Sequence, residues 1–300
     1  MKTYVLFNPL SGSPVAFAAA MERIRAEVGE DSVYRDVREI EDYGALLASL
    51  APEDCILLCG GDGTINRFVN AIDGLELKNE VLYCATGTGN DFLHDIGAAG
   101  EEPVRLNEYI RDLPVVTVKG KRYRFLNGVG YGIDGYCCEV GDAQRASSDK
   151  PVNYTASAIK GLLFHYRPTN ARVFVDGKEY LYRKVWIAPT MHGRYYGGGM
   201  MPTPRQDRKR TDGKSSLMVF HNSGKLHTLL VFPSLFKGEH IKHEKIVAIH
   251  EGENIRVEFD RPVALQIDGE TILGVSEYEV TPASAAVTAA AITKDARVNE

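Results

Sequence analysis

The chain has 300 residues, 44% of them hydrophobic and 25% charged, with a formal net charge of -5 at pH 7. These values suit one large or two ordinary globular domains with a sizeable core, and the acidic balance excludes a global attraction to nucleic acid or to an anionic membrane, so such contacts need a local patch. The five cysteines, Cys55, Cys59, Cys84, Cys137 and Cys138, lack paired metal-ligand spacing and read as buried small residues of a reducing compartment.

Residues 3–7, TYVLF, read as a buried strand, and the NPLSGS that follows as a turn-rich loop. From Pro14 to about Glu30 the apolar positions Phe17, Met21, Ile24 and Val28 recur at helical spacing. Strand, loop and helix open a parallel α/β unit. The cycle recurs through SVYRDV, DYGALLASLA, CILLCG, TINRFVNAI and EVLYCAT, and stops by about Arg111. From Leu113 to about Val280 short β-rich runs take over: PVVTVKG, YRFLNGV, RVFVDG, KVWIAPT, SLMVFHN, KIVAIHE and IRVEFD. One helical insert interrupts them at NYTASAIKGLLFHY, where Tyr154, Ala158, Ile159, Leu162, Leu163 and Tyr166 share a face, as a core helix or a lining for acyl chains would require. The Ala-rich end, PASAAVTAAAIT, fits a helix or a closing strand. The start of the chain has too short an apolar run for a signal peptide, and no stretch approaches the ~20 apolar residues of a membrane span. The expectation is a cytoplasmic protein without a transmembrane anchor, having an α/β domain over 1–125 and a β-rich domain over 126–280.

The densest chemistry lies where CILLCG runs into Gly60-Gly61-Asp62-Gly63-Thr64 and then a helix. Glycines here admit positive φ and close approach of a ligand to the backbone, while the helix start offers N–H groups and partial positive charge. Phosphate is the natural guest, and Thr64 can donate to it or cap the helix. Asp62 would repel phosphate unless a cation lay between, which implies Mg2+. Two more loops, NPLSG and ATGTGNDF, follow strands of the same domain, and ligands of open parallel sheets bind at such carboxyl ends. No loop carries the Walker lysine, so amides, hydroxyls and metal must meet the phosphate charge. Gly130, Gly132 and Gly135 also match GxGxxG, but where the parallel pattern has ended and without the acidic residue a dinucleotide site needs.

NPLSG, GGDGTIN, TGTGNDF, GGGM and QIDGE, in this order and spacing, resemble the diacylglycerol kinase catalytic-domain family, a group of soluble bacterial lipid kinases. The resemblance implies an N-terminal α/β nucleotide domain with a mostly parallel sheet and a C-terminal β-sandwich, with the chain end (281–300) returning to the first domain. It also implies transfer of the ATP γ-phosphoryl group to a lipid hydroxyl at the membrane surface, most simply diacylglycerol to phosphatidic acid. Asn8, Ser11 and Gly12 would border the nucleotide, Gly60, Gly61, Asp62, Gly63 and Thr64 would cradle its phosphates, and Thr86, Gly87, Thr88 and Asn90 would line the opposite wall. Asp268 and Glu270 would come from QIDGE, with Glu270 the base that takes the acceptor's proton and Asp62 the organiser of the metal. A second, structural Mg2+ would fall to Asp212 with the carbonyls of Lys209 and Lys214, although this segment carries extra residues between Gly213 and Leu217. Arg67 reverses the charge of the family's usual glutamate, and Asp36 stands where the family has a nucleotide-contacting threonine. Arg205, Arg208, Lys209 and Arg210 read as a solvated loop or a headgroup contact. His192 is the one histidine placed near a cleft. Proteins of this kind are commonly homodimers. The alternatives are a kinase of NAD or another small molecule, and a non-catalytic nucleotide-responsive protein.

Overall fold

The computed structural model describes residues 1–29, 31–87, 90–98, 102–147 and 166–283. Two compact units divide the chain, Met1–Arg111 and Asp112–Glu300. The first begins with β1 (Thr3–Phe7), α1 (Pro14–Val28), β2 (Val33–Asp36), α2 (Tyr43–Ser49), β3 (Cys55–Gly60) and α3 (Asp62–Ala71). It continues with β4 (Glu80–Ala85), α4 (Asp91–Ile96), β5 (Val104–Arg105) and α5 (Asn107–Ile110). The sheet order is β2-β1-β3-β4-β5, parallel except where β5 runs against β4. Every residue of β3 is buried, as its continuous apolar run requires of the central strand of a sheet covered on both faces. Side chains start the first two helices: Ser13 Oγ accepts from Ala16 N before Pro14, and Asp42 Oδ1 accepts from Ala45 N. Val5, Met21, Ile24, Leu57, Cys59 and Cys84 pack between α1 and the sheet.

The second unit contains β6 (Val115–Val118), β7 (Lys121–Arg124), β8 (Gly128–Tyr131), α6 (Ile133–Ser147), β9 (Thr169–Val175), β10 (Lys178–Val185) and β11 (Thr190–Met191). After these come β12 (Ser215–Phe220), α7 (Lys225–Val231), β13 (Val247–Gly252), β14 (Ile255–Ile267) and β15 (Glu270–Thr281). The path β13-β12-β11-β8-β14-β15-β6-β7 is antiparallel throughout, with β9 joined to β14 and β10 to β9. Long β14 thus serves two sets of neighbours, and the core lies among Val116, Phe125, Tyr131, Val173, Leu217, Val257, Leu265 and Tyr278.

Where the sequence carried the first domain to 125, segment 112–125 belongs to the second unit: β6 pairs with β15 and β7, burying Val115, Val116 and Val118 there. The GxGxxG match falls at the turn from β8 to α6, and its glycines serve packing. A Cβ at Gly130 would lie 2.4 Å from Gln266 Nε2, one at Gly132 2.3 Å from Trp186 O, and one at Gly135 2.2 Å from Ala264 O. Cys55, Cys59, Cys84 and Cys137 are buried free thiols and Cys138 is partly exposed. The helical insert, apart from buried Tyr166, and the proposed C-terminal return beyond Ala283 lie outside the described residues. Among the described residues no helix is long and apolar enough to cross a membrane.

Candidate active site

Three loops meet at the carboxyl ends of β1, β3 and β4. Asn8 N donates to Cys59 O, and its side-chain Nδ2 donates to Thr64 Oγ1 at 3.3 Å, tying the first loop to α3. Thr86 N donates to Gly60 O at 2.9 Å and Tyr83 OH to the same carbonyl at 3.0 Å, tying the third loop to the second. Glycine is required for this convergence. Gly12 has φ +77°, and a Cβ there would lie 2.6 Å from Thr86 O; one at Gly60 would lie 2.2 Å from Thr64 Oγ1, and one at Gly87 2.4 Å from Ser11 Oγ. Gly63 differs, since a Cβ there would meet nothing within 4 Å.

The polar atoms at this convergence point to an anionic guest. The N-cap of α3 is Gly61, which supplies no side-chain cap, and Thr64 N donates back to Gly61 O at 2.9 Å, so the helix start presents its dipole without a capping side chain in the way. The Thr86 hydroxyl, able to donate to an anion, is buried without a hydrogen-bond partner, a cost of about 1–3 kcal/mol that a ligand would remove; Asn90 Oδ1, also buried and unpartnered, is an acceptor and calls for a donor instead. Asp62 is buried at the first position of α3 and its Oδ2 accepts from Phe92 N at 3.3 Å, across from β3 to α4. Asn90 Nδ2 holds the third loop by donating to Gly87 O. Of the eleven described residues expected around the nucleotide, Asn8, Ser11, Gly12, Gly60, Gly61, Asp62, Thr64, Thr86, Gly87 and Asn90 interlock here and Gly63 lines open space; Thr88 lies outside the described residues.

Two flanking positions differ in their surroundings. Arg67 is exposed on α3. Asp36, at the end of β2, is gripped by Arg38, whose Nη2 lies 2.5 Å from Asp36 Oδ2, and this hydrogen bond holds the carboxyl below its ordinary range.

In the second unit Asp268 and Gly269 form the two-residue turn between β14 and β15, with φ +47° and +92°. The Asp268 carboxylate accepts from three consecutive amides, Leu126 N at 2.5 Å, Asn127 N at 2.8 Å and Gly128 N at 2.9 Å. Such a carboxylate is a strong clamp on the turn. Glu270, the next side chain on β15, is exposed. Asn127 carries more of the network: its carbonyl accepts from His192 N and Gly193 N, and its Oδ1 from Arg208 Nη2. Arg208, expected in a solvated loop, is buried and also donates to Leu126 O.

On the 206–214 segment, where the resemblance implies a structural metal, the Asp212 carboxylate is held by a neighbouring arginine. Asp212 is engaged by the Arg210 guanidinium, Nε to Oδ1 at 2.7 Å and Nη2 to Oδ2 at 2.9 Å, which draws its carboxyl down to about 2. Lys209 N donates to Asp207 Oδ1, and Lys214 O accepts from Gln206 Nε2. Among the described residues no group of three or more His, Cys, Asp or Glu side chains converges as a metal centre. Mg2+ at Asp62 fits a donor set of one carboxylate completed by substrate phosphates and water.

One residue was missed. Asp134, at the start of α6, is buried, accepts from Tyr196 OH at 3.1 Å, and keeps Oδ1 without a partner; burial pushes its carboxyl up to about 6. Tyr196 is fixed by a tight turn through Gly197, Gly198 and Gly199, all at positive φ, where Tyr196 and Met200 exchange backbone hydrogen bonds. A cavity of about 460 Å3 is lined by Gly132, Tyr136, Tyr166, Arg167 and Arg261 among others. The signal was present in GYGIDG and GGGM, but reading it required knowing that the two segments meet.

Two family models match: the diacylglycerol kinase catalytic domain over residues 2–118, and the YegS C-terminal NAD kinase beta sandwich-like domain over 127–289. The chain belongs to the diacylglycerol kinase catalytic-domain family. This lipid kinase family member is 25% identical over 258 residues to a diacylglycerol kinase of Mycobacterium tuberculosis H37Rv, covering 82% of this chain and 81% of the relative. It is 24% identical over 277 residues to a diacylglycerol kinase of Bacillus subtilis 168, covering 89% and 88%. A crystal structure of a diacylglycerol kinase from Bacillus anthracis Sterne shares the fold, with a TM-score of 0.57 at 17% identity over 94% of this chain and 93% of that one.

Proposed function

We propose that this lipid kinase transfers the γ-phosphoryl group of ATP to the hydroxyl of diacylglycerol, giving phosphatidic acid and ADP. The observation that carries the reading is the glycine cradle of Gly12, Gly60 and Gly87 around the uncapped start of α3, with the buried Thr86 hydroxyl left for a ligand. That arrangement suits polyphosphate, because backbone amides and a hydroxyl meet the charge without a lysine. The named relatives supply the acceptor class.

In this reading the acceptor oxygen forms a bond to the γ-phosphorus, the bond from that phosphorus to the oxygen retained by ADP breaks, and the hydroxyl proton passes to the Glu270 carboxylate. Mg2+ held at Asp62 would neutralise phosphate charge. Asp268 positions Glu270 by clamping the turn that precedes it. The unpartnered Oδ1 of Asp134 supports a role in receiving a polar group of the acceptor. Transfer by Glu270→Gln, with ATP binding measured separately by calorimetry, tests the assignment. A loss of at least about 100-fold in kcat with ATP affinity retained is expected; full transfer would remove Glu270 from the reaction.

A further inference from the structure

The strongest unexplained surface is the segment from α7 to residue 245. Leu226 and Leu230 are 72% and 79% exposed, and their i, i+4 spacing puts them on one face of α7. Phe236, in the 3-10 turn Phe232–Lys237 that follows, is 40% exposed. The opposite side is firmly seated: Thr228, Val231, Phe232 and Leu235 are buried, and Trp186 Nε1 donates to Ser223 O just ahead of the helix. These are therefore large apolar side chains on a rigid support.

The rim of the patch is basic. Between 225 and 245 stand Lys225, Lys237, Lys242 and Lys245 against Glu239 and Glu244, with Lys242 paired to Glu239 at 3.1 Å, in a chain whose net charge is -5. The rings of His227 and His243 are 6.5 Å apart, which brings the 242–245 end of the segment against α7. Exposed leucines and a phenylalanine on a segment with an excess of lysine match a bilayer surface carrying anionic headgroups: the apolar side chains would enter the headgroup and acyl boundary, and the lysine stems would lie along it with their ammonium groups at the phosphates. A protein partner of ordinary composition would not call for that excess of lysine.

We infer that α7 and the turn after it form the surface by which this protein docks on anionic membranes. The inference rests on the proposed lipid acceptor, since an enzyme without a membrane-crossing helix among its described residues must reach a bilayer-embedded substrate from a surface it can settle on. The full chain would be floated with vesicles of phosphatidylcholine containing about 30% phosphatidylglycerol and with vesicles of phosphatidylcholine alone. Wild type is expected to float with the anionic vesicles, and Leu226→Glu/Leu230→Glu to bind them at least about tenfold more weakly. Leu181→Glu, at a leucine 73% exposed on β10, is expected to bind as wild type does. Equal vesicle binding by wild type and the double variant overturns the inference, as does a wild type that ignores vesicles but changes oligomeric state in the double variant, which would make the patch a self-interface. Activity on a monomeric short-chain diacylglycerol separates the two claims. The double variant should keep it while losing activity on vesicle-embedded diacylglycerol; absence of activity in every protein would remove the kinase reading and leave the flotation result to stand alone.

Discussion

The backbone amide of Asn127 donates to Asp268 Oδ1 at 2.8 Å, fastening the turn between β14 and β15 to the start of β8. Leu126 N and Gly128 N complete the clamp, so the two acidic residues of one turn separate in role. Asp268→Asn keeps the shape and tolerates the left-handed backbone, but it loses charge-assisted acceptance. It should destabilise the second unit by about 2–3 kcal/mol in chemical unfolding and reduce transfer as well. Glu270→Gln, at an exposed position, should change stability by less than about 0.5 kcal/mol while transfer falls. Equal stability in the two variants would contradict this division.

Gly63 offers a cleaner test of the phosphate cradle than its neighbours. Gly60→Ala forces a Cβ into Thr64 and is expected to harm folding, whereas the Gly63 position is helical and open. Gly63→Ala should leave stability unchanged or raise it by up to about 1 kcal/mol, since alanine favours helix over glycine. The same methyl intrudes on the space assigned to phosphate, so KM for ATP should rise about tenfold or more. An unchanged KM would place the phosphates elsewhere.

Thr86→Val carries a similar split. The Oγ1 it removes is buried without a partner, so the apolar isostere should not lower the unfolding midpoint. ATP affinity, by calorimetry, should fall about tenfold because the ligand loses a hydroxyl donor. A destabilised protein with normal affinity would make Thr86 a purely structural residue.

Asp134 predicts a pH dependence. Burial raises its carboxyl from 3.8 to about 6, so the folded state holds the proton more tightly than the unfolded state. Its contribution is therefore most favourable below about pH 4 and is lost as the pH climbs through about 6, by roughly 3 kcal/mol in all. Asp134→Asn removes the titration. Urea unfolding should show the variant gaining on wild type between pH 4 and 7, and a constant difference across that range would contradict the assignment.

The α/β half was legible because a parallel sheet imposes long apolar runs and obligatory turn chemistry: TYVLF became β1 residue for residue and CILLCG became β3. The phosphate loops were legible for a related reason, that close backbone approach leaves no residue but glycine at Gly12 and Gly60. The β-rich half yielded less. β10 and β15 escaped because their exposed, charged faces dilute the alternation, and α6 because its start was masked by the packing glycines of GYGIDG. Arg208 and Asp134 could not be found locally: one is buried by bonds to residues 126 and 127, the other by Tyr196 and its surroundings, and long-range burial leaves no mark on sequence spacing.

The choice of acceptor can be read by incubating the purified protein with γ-labelled ATP and Mg2+ against diacylglycerol micelles, other lipid alcohols and NAD. Label is expected in diacylglycerol, recovered as phosphatidic acid, and none in NAD. Label in NAD, or in no acceptor, would contradict that expectation.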